Sequence, residues 1–415
     1  MKKESVVHLQ SKTSKTQICV LSPKFYTYGA LKIAGCLDSD FNVELTKGEL
    51  KPADILCLTL TATSQLFSMQ KTIENARKIY KKIIIGGPIC LDPTLVFNQL
   101  NPDFITTGEG EEVIVDLLNN LDKPEAVNGI GYKENDEIII TKPAKSPEFT
   151  DKLLIPSDLK KQVVRGVNLY LETHRGRTGN CTFCAVPKIF GREIRKKPME
   201  LILSEIRKLK ENGAGKLAIS GGTALQYGSE FSQLLSEISS IIGKDNFAAP
   251  DLRVDSTNEE TLSAIKNYTT GWVAYGIESG SQRVLNAMKK GTIIDQVKTA
   301  VELAKQAEVD AVGSFIAGFP SETNEEYSQT IELIKELKLD DIYCGVAIPV
   351  IGTESFENCI RNELVDNGGM EKRLREIILL NMEMQSEVNE KNLNENVSAQ
   401  MKYIKELCGN LKTVI

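Results

Sequence analysis

The sequence lacks any long apolar run. No stretch approaches the roughly 18 consecutive apolar residues that cross a bilayer, and the basic first residues are not followed by the apolar segment of a signal peptide. A composition of 41% hydrophobic and 26% charged residues does not suggest disorder or a fibre. We therefore expect a cytoplasmic, globular protein without a membrane partner. Its 415 residues predict two or three domains.

An excess of basic charge is also absent. The formal net charge is −6, whereas a dedicated nucleic-acid binder usually carries a basic face, so we expect no nucleic acid among the partners. The basic run at residues 192–197 is local, and it indicates either a solvated helix entry or a contact with an anion or substrate. Nine cysteines are scattered with a single close pair. This is not a disulfide framework, and it is typical of a reducing compartment.

Apolar runs and helical stretches alternate in the first part of the chain. Three apolar runs end in small or polar residues, as buried parallel strands do (residues 17–21, 54–60 and 83–85). The alternation predicts a doubly wound parallel sheet over residues 1–122, with any ligand at the carboxyl ends of its strands. A connector with a β-hairpin is expected at residues 123–160, because a turn at 135–136 separates two β-rich runs.

Strands and helices alternate again over residues 161–356 (strands at 166–172, 216–220, 252–255, 272–277, 311–317 and 342–348). Six strand-helix units are too few for an eight-stranded barrel, so they predict a six-stranded partial barrel of the α/β class. Residues 357–415 show apolar side chains at helical spacing, which predicts a helical extension that packs on the barrel. The functional residues of a parallel barrel gather at the carboxyl ends of its strands.

Two cysteines follow the first of these barrel strands. Cys181 and Cys184 form a C-x-x-C pair, with Phe183 between them and basic residues on both sides. By itself, such a pair indicates half of a zinc site, a redox dithiol, or two ordinary core cysteines. A zinc site would need a second pair, which the sequence lacks.

The surrounding stretch, residues 172–192, resembles the cluster-binding loop of the cobalamin-binding radical S-adenosylmethionine enzymes. The family pattern E-T-x-R-G-C-x-x-x-C-x-[FY]-C is matched at Glu172, Thr173, Arg175, Gly176, Cys181, Phe183 and Cys184. Similar agreement occurs after later strands, at Gly221-Gly222, YGIESGSQRVLNAMKKG (275–291), SFIAGFPSET (314–323) and AIPVIGTE (347–354). The resemblance implies a four-iron cluster held by three thiolates, with one iron left to bind S-adenosylmethionine.

The same resemblance assigns the other contacts of S-adenosylmethionine. Gly221 and Gly222 are expected to accept its ammonium group, and Glu278 and Ser281 to hold its ribose. The backbone of Ile316 and Gly318 is expected to flank its adenine, and Phe183 lies among the cofactor contacts.

Two further motifs in the amino-terminal part resemble the cobalamin-binding domain of this family. They are IIIGGP at 83–88 and GEGE at 108–111, and they imply that cobalamin lies between the sheet and the barrel, near Gly86, Gly87, Gly108 and Glu109. The D-x-H-x-x-G sequence that supplies a histidine to cobalt elsewhere is absent, and the chain has only His8 and His174. We expect cobalt to receive no histidine from this domain.

One position departs from the family pattern, because Arg177 stands where the first cluster cysteine is expected. A guanidinium stays protonated and cannot replace a thiolate. One hypothesis is an active cobalamin-dependent radical methyltransferase that methylates an unactivated carbon. In it, Arg177, Cys181 and Cys184 belong to the catalytic site. Either His174 completes the metal ligands, since a neutral imidazole can bind iron, or arginine has replaced a natural cysteine. Without such a role, His174 is typical of a polar loop residue.

The other hypothesis is a non-catalytic paralogue that keeps the fold, binds corrinoid or S-adenosylmethionine, and serves as a carrier or partner. An active enzyme would need a protein or small-molecule substrate with an unactivated C–H bond and an external electron donor such as ferredoxin or flavodoxin. Length and layout resemble the archaeal methanogen group that includes the glutamine C-methyltransferase acting on methyl-coenzyme M reductase.

Overall fold

The computed structural model describes residues 15–220, 223–320, 322–361, 370–385 and 387–414. Its amino-terminal half is a mixed sheet with helices on both faces. The strands are β1 (Gln17–Ser22), β2 (Asn42–Lys47), β3 (Ile55–Thr59), β4 (Lys82–Gly86), β5 (Phe104–Thr106), β6 (Ile130–Glu134) and β7 (Glu137–Ile140). The helices are α1 (Tyr28–Leu37), α2 (Gln65–Ser68), α3 (Gln70–Ala76), α4 (Pro93–Leu100) and α5 (Glu111–Asn119).

The strand order in this sheet is β2-β1-β3-β4-β5-β6-β7. The first five strands are parallel, and most of their buried residues are apolar on both faces. Helices α1 and α5 pack on one face, and α2, α3 and α4 pack on the other. β6 and β7 form an antiparallel hairpin that continues the sheet beyond β5. Its turn residues, Asn135 and Asp136, both have positive φ, as a tight hairpin turn requires.

The carboxy-terminal half contains β8 (Leu169–Leu171), β9 (His174–Arg175), β10 (Arg195–Lys196), β11 (Leu217–Ile219), β12 (Phe247–Ala248), β13 (Asp251–Leu252), β14 (Trp272–Glu278), β15 (Asp310–Ala317) and β16 (Asp341–Val346). Its helices are α6 (Val186–Phe190), α7 (Met199–Glu211), α8 (Thr223–Tyr227), α9 (Phe231–Ile242), α10 (Glu259–Tyr268), α11 (Gln282–Ala287), α12 (Ile294–Gln306), α13 (Asn324–Leu337), α14 (Glu354–Arg361), α15 (Met370–Met384) and α16 (Glu390–Val414).

The wall of this half consists of two parallel sheets, of order β12-β11-β8 and β13-β14-β15-β16. The strand expected at 252–255 is shorter than the sequence predicts and begins earlier, at Asp251. Pro250 separates β12 from β13, because proline has no N–H to donate to a ladder, and residues 254–256 form a 3-10 turn. The two sheets together form a partial parallel barrel. A single wall of six hydrogen-bonded strands stays a prediction.

The two halves share one apolar core. A single cluster of buried side chains joins α1 of the first half to β8, α7 and β11 of the second. The connector crosses α1 at Gly35, where a Cβ would lie 2.7 Å from backbone atoms of Leu153. Helices α15 and α16 cover β15 and β16, and α16 reaches the first sheet through Leu407 and Leu411. No helix in the described part of the chain combines the length and apolar character needed to span a membrane.

Candidate functional site

Two cavities open at the carboxyl ends of parallel strands, one in each half. The sheet cavity, about 240 Å³, lies at the ends of β3, β4 and β5 and beside the start of α1. The barrel cavity, about 720 Å³, is lined by residues of β13, β14, β15 and β16. Residues 172–190, called the cysteine loop below, line both cavities. Glu172, Arg175, Ile189 and Phe190 line the sheet cavity, whereas Arg177, Cys181, Phe183 and Cys184 line the barrel cavity.

The cysteine loop is held in place by backbone contacts. Gly176 has a φ of 87°, and a Cβ there would lie 1.8 Å from the carbonyl oxygen of Glu193, so no other residue fits. The Thr182 N–H donates to the Met288 carbonyl at 2.9 Å, and the Thr182 carbonyl accepts from Ser355 N–H, also at 2.9 Å. The loop is thus tied to the ends of α11 and α14.

The structure brings Arg177 into contact with the cysteine pair. Its Nη1 donates to Cys184 Sγ at 3.5 Å, and a turn closes between the Cys184 N–H and the Cys181 carbonyl at 3.1 Å. His174 lies on β9, where it interacts with Thr173 Oγ1 at 3.2 Å. The described residues contain no group of three or more His, Cys, Asp or Glu side chains placed to hold a metal ion. The two thiols and one guanidinium present here do not fit a cluster held by three thiolates.

Glu278 lies at the carboxyl end of β14 and lines the barrel cavity. Its φ of 67° is unusual for a residue with a side chain, and the β14–β15 register shifts beside it. The carboxylate is 7% exposed, and its Oε1 accepts from Lys290 Nζ at 2.7 Å. Lys290 Nζ also stands 5.9 Å from the centre of the Phe183 ring. Glu278, Lys290 and Phe183 therefore form one polar and aromatic corner of the cavity.

The other described residues expected to contact S-adenosylmethionine are not among those that line the barrel cavity. Ser281 does not belong to the lining of the barrel cavity. It caps α11 by accepting from Val284 N–H at 3.4 Å, and it donates to Glu326 Oε1 at 3.3 Å. Ile316 lies on β15, and Gly318 follows it with a φ of 74°. Gly221 and Gly222 lie outside the described residues.

A second arginine beside the cysteines could not have been identified from a motif. Arg253 follows β13, and its guanidinium donates two hydrogen bonds to Asp255, at 2.8 and 2.7 Å. The hydrogen bonds to Asp255 raise the pKa of Arg253, and the Cys181 thiol adds to this effect. Its location beside Cys181 depends on the closure of the barrel, which leaves no local pattern in the sequence.

Gly86, Gly87, Gly108 and Glu109, the residues expected near cobalamin, line the sheet cavity together. Gly87 has a φ of 100°, and a Cβ there would lie 2.5 Å from the Leu60 carbonyl oxygen. A Cβ on Gly108 would meet no atom within 4 Å, and the same holds for Gly29 on the opposite side. The loops therefore form a cradle whose floor is backbone, with open space above it.

Arg175 closes one side of this cavity with a network of ion pairs. Its Nε donates to Glu172 at 2.8 Å, and its two terminal nitrogens contact Glu109 and Glu111. Arg195 contacts the other oxygen of Glu109. The side chains of Arg175 and Glu109 are each 6% exposed. Glu109 is thus committed to two arginines, and the network joins the amino-terminal half to the cysteine loop.

A buried polar cluster continues this junction. Lys197 is fully buried and contacts Glu205 at 2.5 Å and the Tyr28 hydroxyl at 2.8 Å. Burial lowers the pKa of Lys197, and burial, followed by the Glu205 carboxylate, raises the pKa of Tyr28. Tyr28 also lines the sheet cavity. Its hydroxyl donates to Glu205 at 3.1 Å, so the cluster ties the start of α1 to α7 beside the cavity.

Similarity to known proteins shows the class to which this chain belongs, the radical S-adenosylmethionine proteins. The model of the Radical SAM superfamily matches residues 171–334. The Methanocaldococcus jannaschii protein named "Putative methylthiotransferase MJ0865" is 40% identical over 82% of this chain and 79% of its own length. The Pyrococcus horikoshii protein named "Uncharacterized methyltransferase PH0819" is 31% identical over 75% of this chain and 70% of its own. This chain belongs to the radical SAM superfamily.

Two solved structures share the fold over both halves. The radical S-adenosylmethionine methyltransferase TsrM from Kitasatospora setae, with cobalamin and a [4Fe-4S] cluster bound, superimposes with a TM-score of 0.69 at 13% identity. The match covers 84% of this chain and 75% of TsrM. The cobalamin-dependent S-adenosylmethionine radical enzyme OxsB, with aqua-cobalamin bound, gives a TM-score of 0.63 at 19% identity over 87% of this chain and 56% of OxsB. The similarity extends from the barrel to the amino-terminal sheet.

Proposed function

We propose that this protein is an S-adenosylmethionine-dependent methyltransferase that uses cobalamin, with cobalamin in the sheet cavity and S-adenosylmethionine in the barrel cavity. One observation carries the proposal, namely that a single loop, residues 172–190, lines both cavities. Two ligands bound there would both contact this loop and so lie near each other, and transfer of a group between them would require their reacting atoms to approach to about 3–3.5 Å. The methyltransferase names of the Pyrococcus horikoshii relative and of TsrM support methyl transfer as the reaction class.

The character of the sheet cavity fits cobalamin. Its floor of glycine backbone at Gly29 and Gly108 leaves room for a large planar ligand, and the site lies at the strand ends where parallel sheets bind cofactors. When bound, cobalamin supplies a cobalt centre that accepts and releases a methyl group. The protein would position it with the loops at 86–88 and 108–111, hold those loops through Arg175, and exclude water with Ile189 and Phe190.

Methyl transfer is proposed in preference to methylthio transfer. Adding a methylthio group requires a source of sulfur as well as a methyl donor. In the described part of the chain, no three metal-binding side chains come together, and the cysteines of the first half, Cys19, Cys36, Cys57 and Cys90, are buried. These residues therefore support methyl transfer better than methylthio transfer, which would need a group that supplies sulfur.

The radical part of the activity depends on position 177. Methylation of an unactivated carbon, such as a glutamine of methyl-coenzyme M reductase, is our proposal for a chain with cysteine there, with an external electron donor. No radical step is derived for the chain with Arg177, because two thiols do not fit the cluster. The contact between Arg177 and Cys184 at 3.5 Å favours a second candidate, a paralogue that binds cobalamin and S-adenosylmethionine without radical chemistry.

Equilibrium dialysis of the full chain against hydroxocobalamin tests the proposal. We expect retention at one equivalent per chain, and a Gly108→Leu variant, which fills the open space above the cradle, should lose it. A matched Gly271→Leu variant should retain it, because Gly271 also has a positive φ and a Cβ that would meet no atom within 4 Å but lies outside the sheet cavity. Retention no greater than that of an unrelated protein would refute the proposal.

A further inference from the structure

Four cationic side chains line the barrel cavity, and three of them, Arg177, Arg253 and Lys290, lie in or beside the cysteine loop. Two of these three have a carboxylate partner. Arg253 is paired with Asp255 through two hydrogen bonds, and Lys290 is paired with Glu278 at 2.7 Å. Arg177 differs from both. Among the residues that the structure describes, no carboxylate lies within 4.0 Å of its guanidinium.

The contact that Arg177 does make is a weak one. Its Nη1 donates to the Cys184 sulfur, and a thiol sulfur is a poor acceptor. Its backbone N–H donates to the Gly191 carbonyl at 3.2 Å, which fixes where the side chain begins. A half-buried guanidinium, lining a cavity of about 720 Å³ without a counter-ion, favours an anion supplied from outside the chain.

The geometry of a guanidinium indicates which kinds of anion it would bind. Its planar fork binds carboxylate and phosphate groups through two parallel hydrogen bonds, in a way that an ammonium cannot. S-Adenosylmethionine, the ligand proposed for this cavity, carries one carboxylate on its amino-acid end. Glu278 lies in the same cavity, but the cation that it contacts in this structure is Lys290.

We propose that Arg177 is a binding residue for the carboxylate of S-adenosylmethionine. At the position where the resemblance expects a cluster thiolate, the chain recognises the amino-acid end of the ligand by charge instead of by iron. S-Adenosylhomocysteine, which has the same carboxylate, would bind in the same way. The inference rests on the proposed function, because it requires that S-adenosylmethionine enters the barrel cavity.

The test measures discrimination for the carboxylate. Calorimetry on the full chain compares the Kd of S-adenosylmethionine with that of its decarboxylated analogue, for the unmodified protein, Arg177→Gln, Arg177→Lys and Arg192→Gln. Arg192 is the matched control, because it lies in the same segment but its guanidinium contacts Asn180 and Thr178. The unmodified protein should prefer S-adenosylmethionine by about tenfold or more, the range of charge-assisted hydrogen bonds.

Arg177→Gln should bring this preference close to one while leaving the affinity for the decarboxylated analogue nearly unchanged. Arg177→Lys, which keeps the charge but not the fork, should give an intermediate preference and remains informative if Arg177→Gln fails to fold. Arg192→Gln should behave as the unmodified protein does.

Each outcome decides between the inference and the proposed function. If both ligands bind the unmodified protein equally, or if Arg177→Gln retains the preference, the inference is overturned while the proposed function stands. If neither ligand binds, the S-adenosylmethionine part of the proposed function is refuted and the inference is refuted with it.

Discussion

Two arginines that are two positions apart in the cysteine loop face different cavities and meet opposite environments. Arg175, toward the sheet cavity, is 6% exposed and contacts Glu109, Glu111 and Glu172. Arg177, toward the barrel cavity, contacts the sulfur of Cys184. Residues two positions apart in an extended strand point to the same side, so the opposite directions of the two arginines come from the turn at Gly176, which follows β9 and has a φ of 87°. On the sheet side of the loop, Arg175 is paired with carboxylates of the protein. On the barrel side, Arg177 has no such partner among the described residues, and we propose that it binds a ligand.

The difference separates a structural role from a binding role. A buried charge is tolerated when carboxylates and hydrogen bonds surround it, and such a network fixes the elements that supply its members. Here the members come from the amino-terminal half, from the cysteine loop and from β10. Arg175 therefore joins the two halves. The guanidinium of Arg177, in contrast, is the group that we propose binds a carboxylate of a ligand in the barrel cavity.

The largest expected effect comes from removing the charge on the barrel side. Arg177→Cys would supply the third thiolate of the expected cluster pattern. After anaerobic reconstitution, we expect the unmodified chain to hold well below four irons and Arg177→Cys to approach four, together with cleavage of S-adenosylmethionine. Iron and sulfide analysis measures the first result, and formation of 5'-deoxyadenosine measures the second.

Arg177→Ser is the matched control, because it also removes the guanidinium but adds no thiolate. Its iron content should stay as low as that of the unmodified chain. A full cluster in the unmodified chain that His174→Ala abolishes would show that the ligand assignment is wrong. If Arg177→Cys gains neither iron nor cleavage, the radical interpretation of this loop fails.

The second largest effect is expected on stability, from a substitution that removes Arg175 from its ion pairs on the sheet side of the loop. Arg175→Met would leave the carboxylates of Glu109, Glu111 and Glu172, whose side chains are 6%, 14% and 20% exposed, without their common partner. Loss of one member of a buried network typically costs about 3–5 kcal/mol. Urea unfolding should therefore show a loss of stability of about that size, and Arg175→Lys a smaller one, because an ammonium cannot reproduce three separate contacts.

The control is the exposed pair of Lys266 and Glu308, whose side chains are 42% and 81% exposed. Lys266→Met should change the free energy of unfolding by less than about 1 kcal/mol. If Arg175→Met costs no more than Lys266→Met, Arg175 does not fasten the two halves, and the contrast with Arg177 disappears.

The sequence predicted those parts of the molecule that depend on local patterns. The parallel sheet, the alternating barrel units and the glycine turns of the sheet cavity follow from apolar runs and small residues that are adjacent in the chain. The motif around Glu278 likewise placed that residue at a strand end lining the barrel cavity. Such features can be predicted because neighbouring residues determine them.

Features that join distant segments could not be predicted in this way. Glu109 and Arg175 are 66 residues apart, and Tyr28 and Lys197 are 169 apart. No periodicity in a single sequence links such pairs, so Glu109 was expected beside cobalamin and its two arginine partners were missed. Ser281 was expected at the ribose of S-adenosylmethionine, but its hydroxyl caps α11 and contacts Glu326. A motif identifies a residue without revealing which neighbour its side chain meets.

The smallest of the three effects concerns Glu278, the paired carboxylate of the barrel cavity. The hydrogen bond given to it by Lys290 involves Oε1, and within the described residues Oε2 receives none. Glu278 can therefore hold ribose hydroxyls while it keeps Lys290, although its charge is paired. Glu278→Ala should weaken the binding of S-adenosylmethionine by about tenfold or more, since hydrogen bonds to charged groups contribute about 1.5–3 kcal/mol.

The matched control is Glu354→Ala, which removes an exposed carboxylate paired with Lys289 at 2.7 Å and should leave the affinity unchanged. The 2'-deoxy analogue of S-adenosylmethionine separates ribose recognition from loss of structure. The unmodified chain should bind this analogue more weakly than S-adenosylmethionine, and Glu278→Ala should bind both alike. If Glu278→Ala still discriminates between them, Glu278 does not hold the ribose. The ion pair between Glu278 and Lys290 would then have a structural role. The ion pairs of Arg175 have such a role on the other side of the loop.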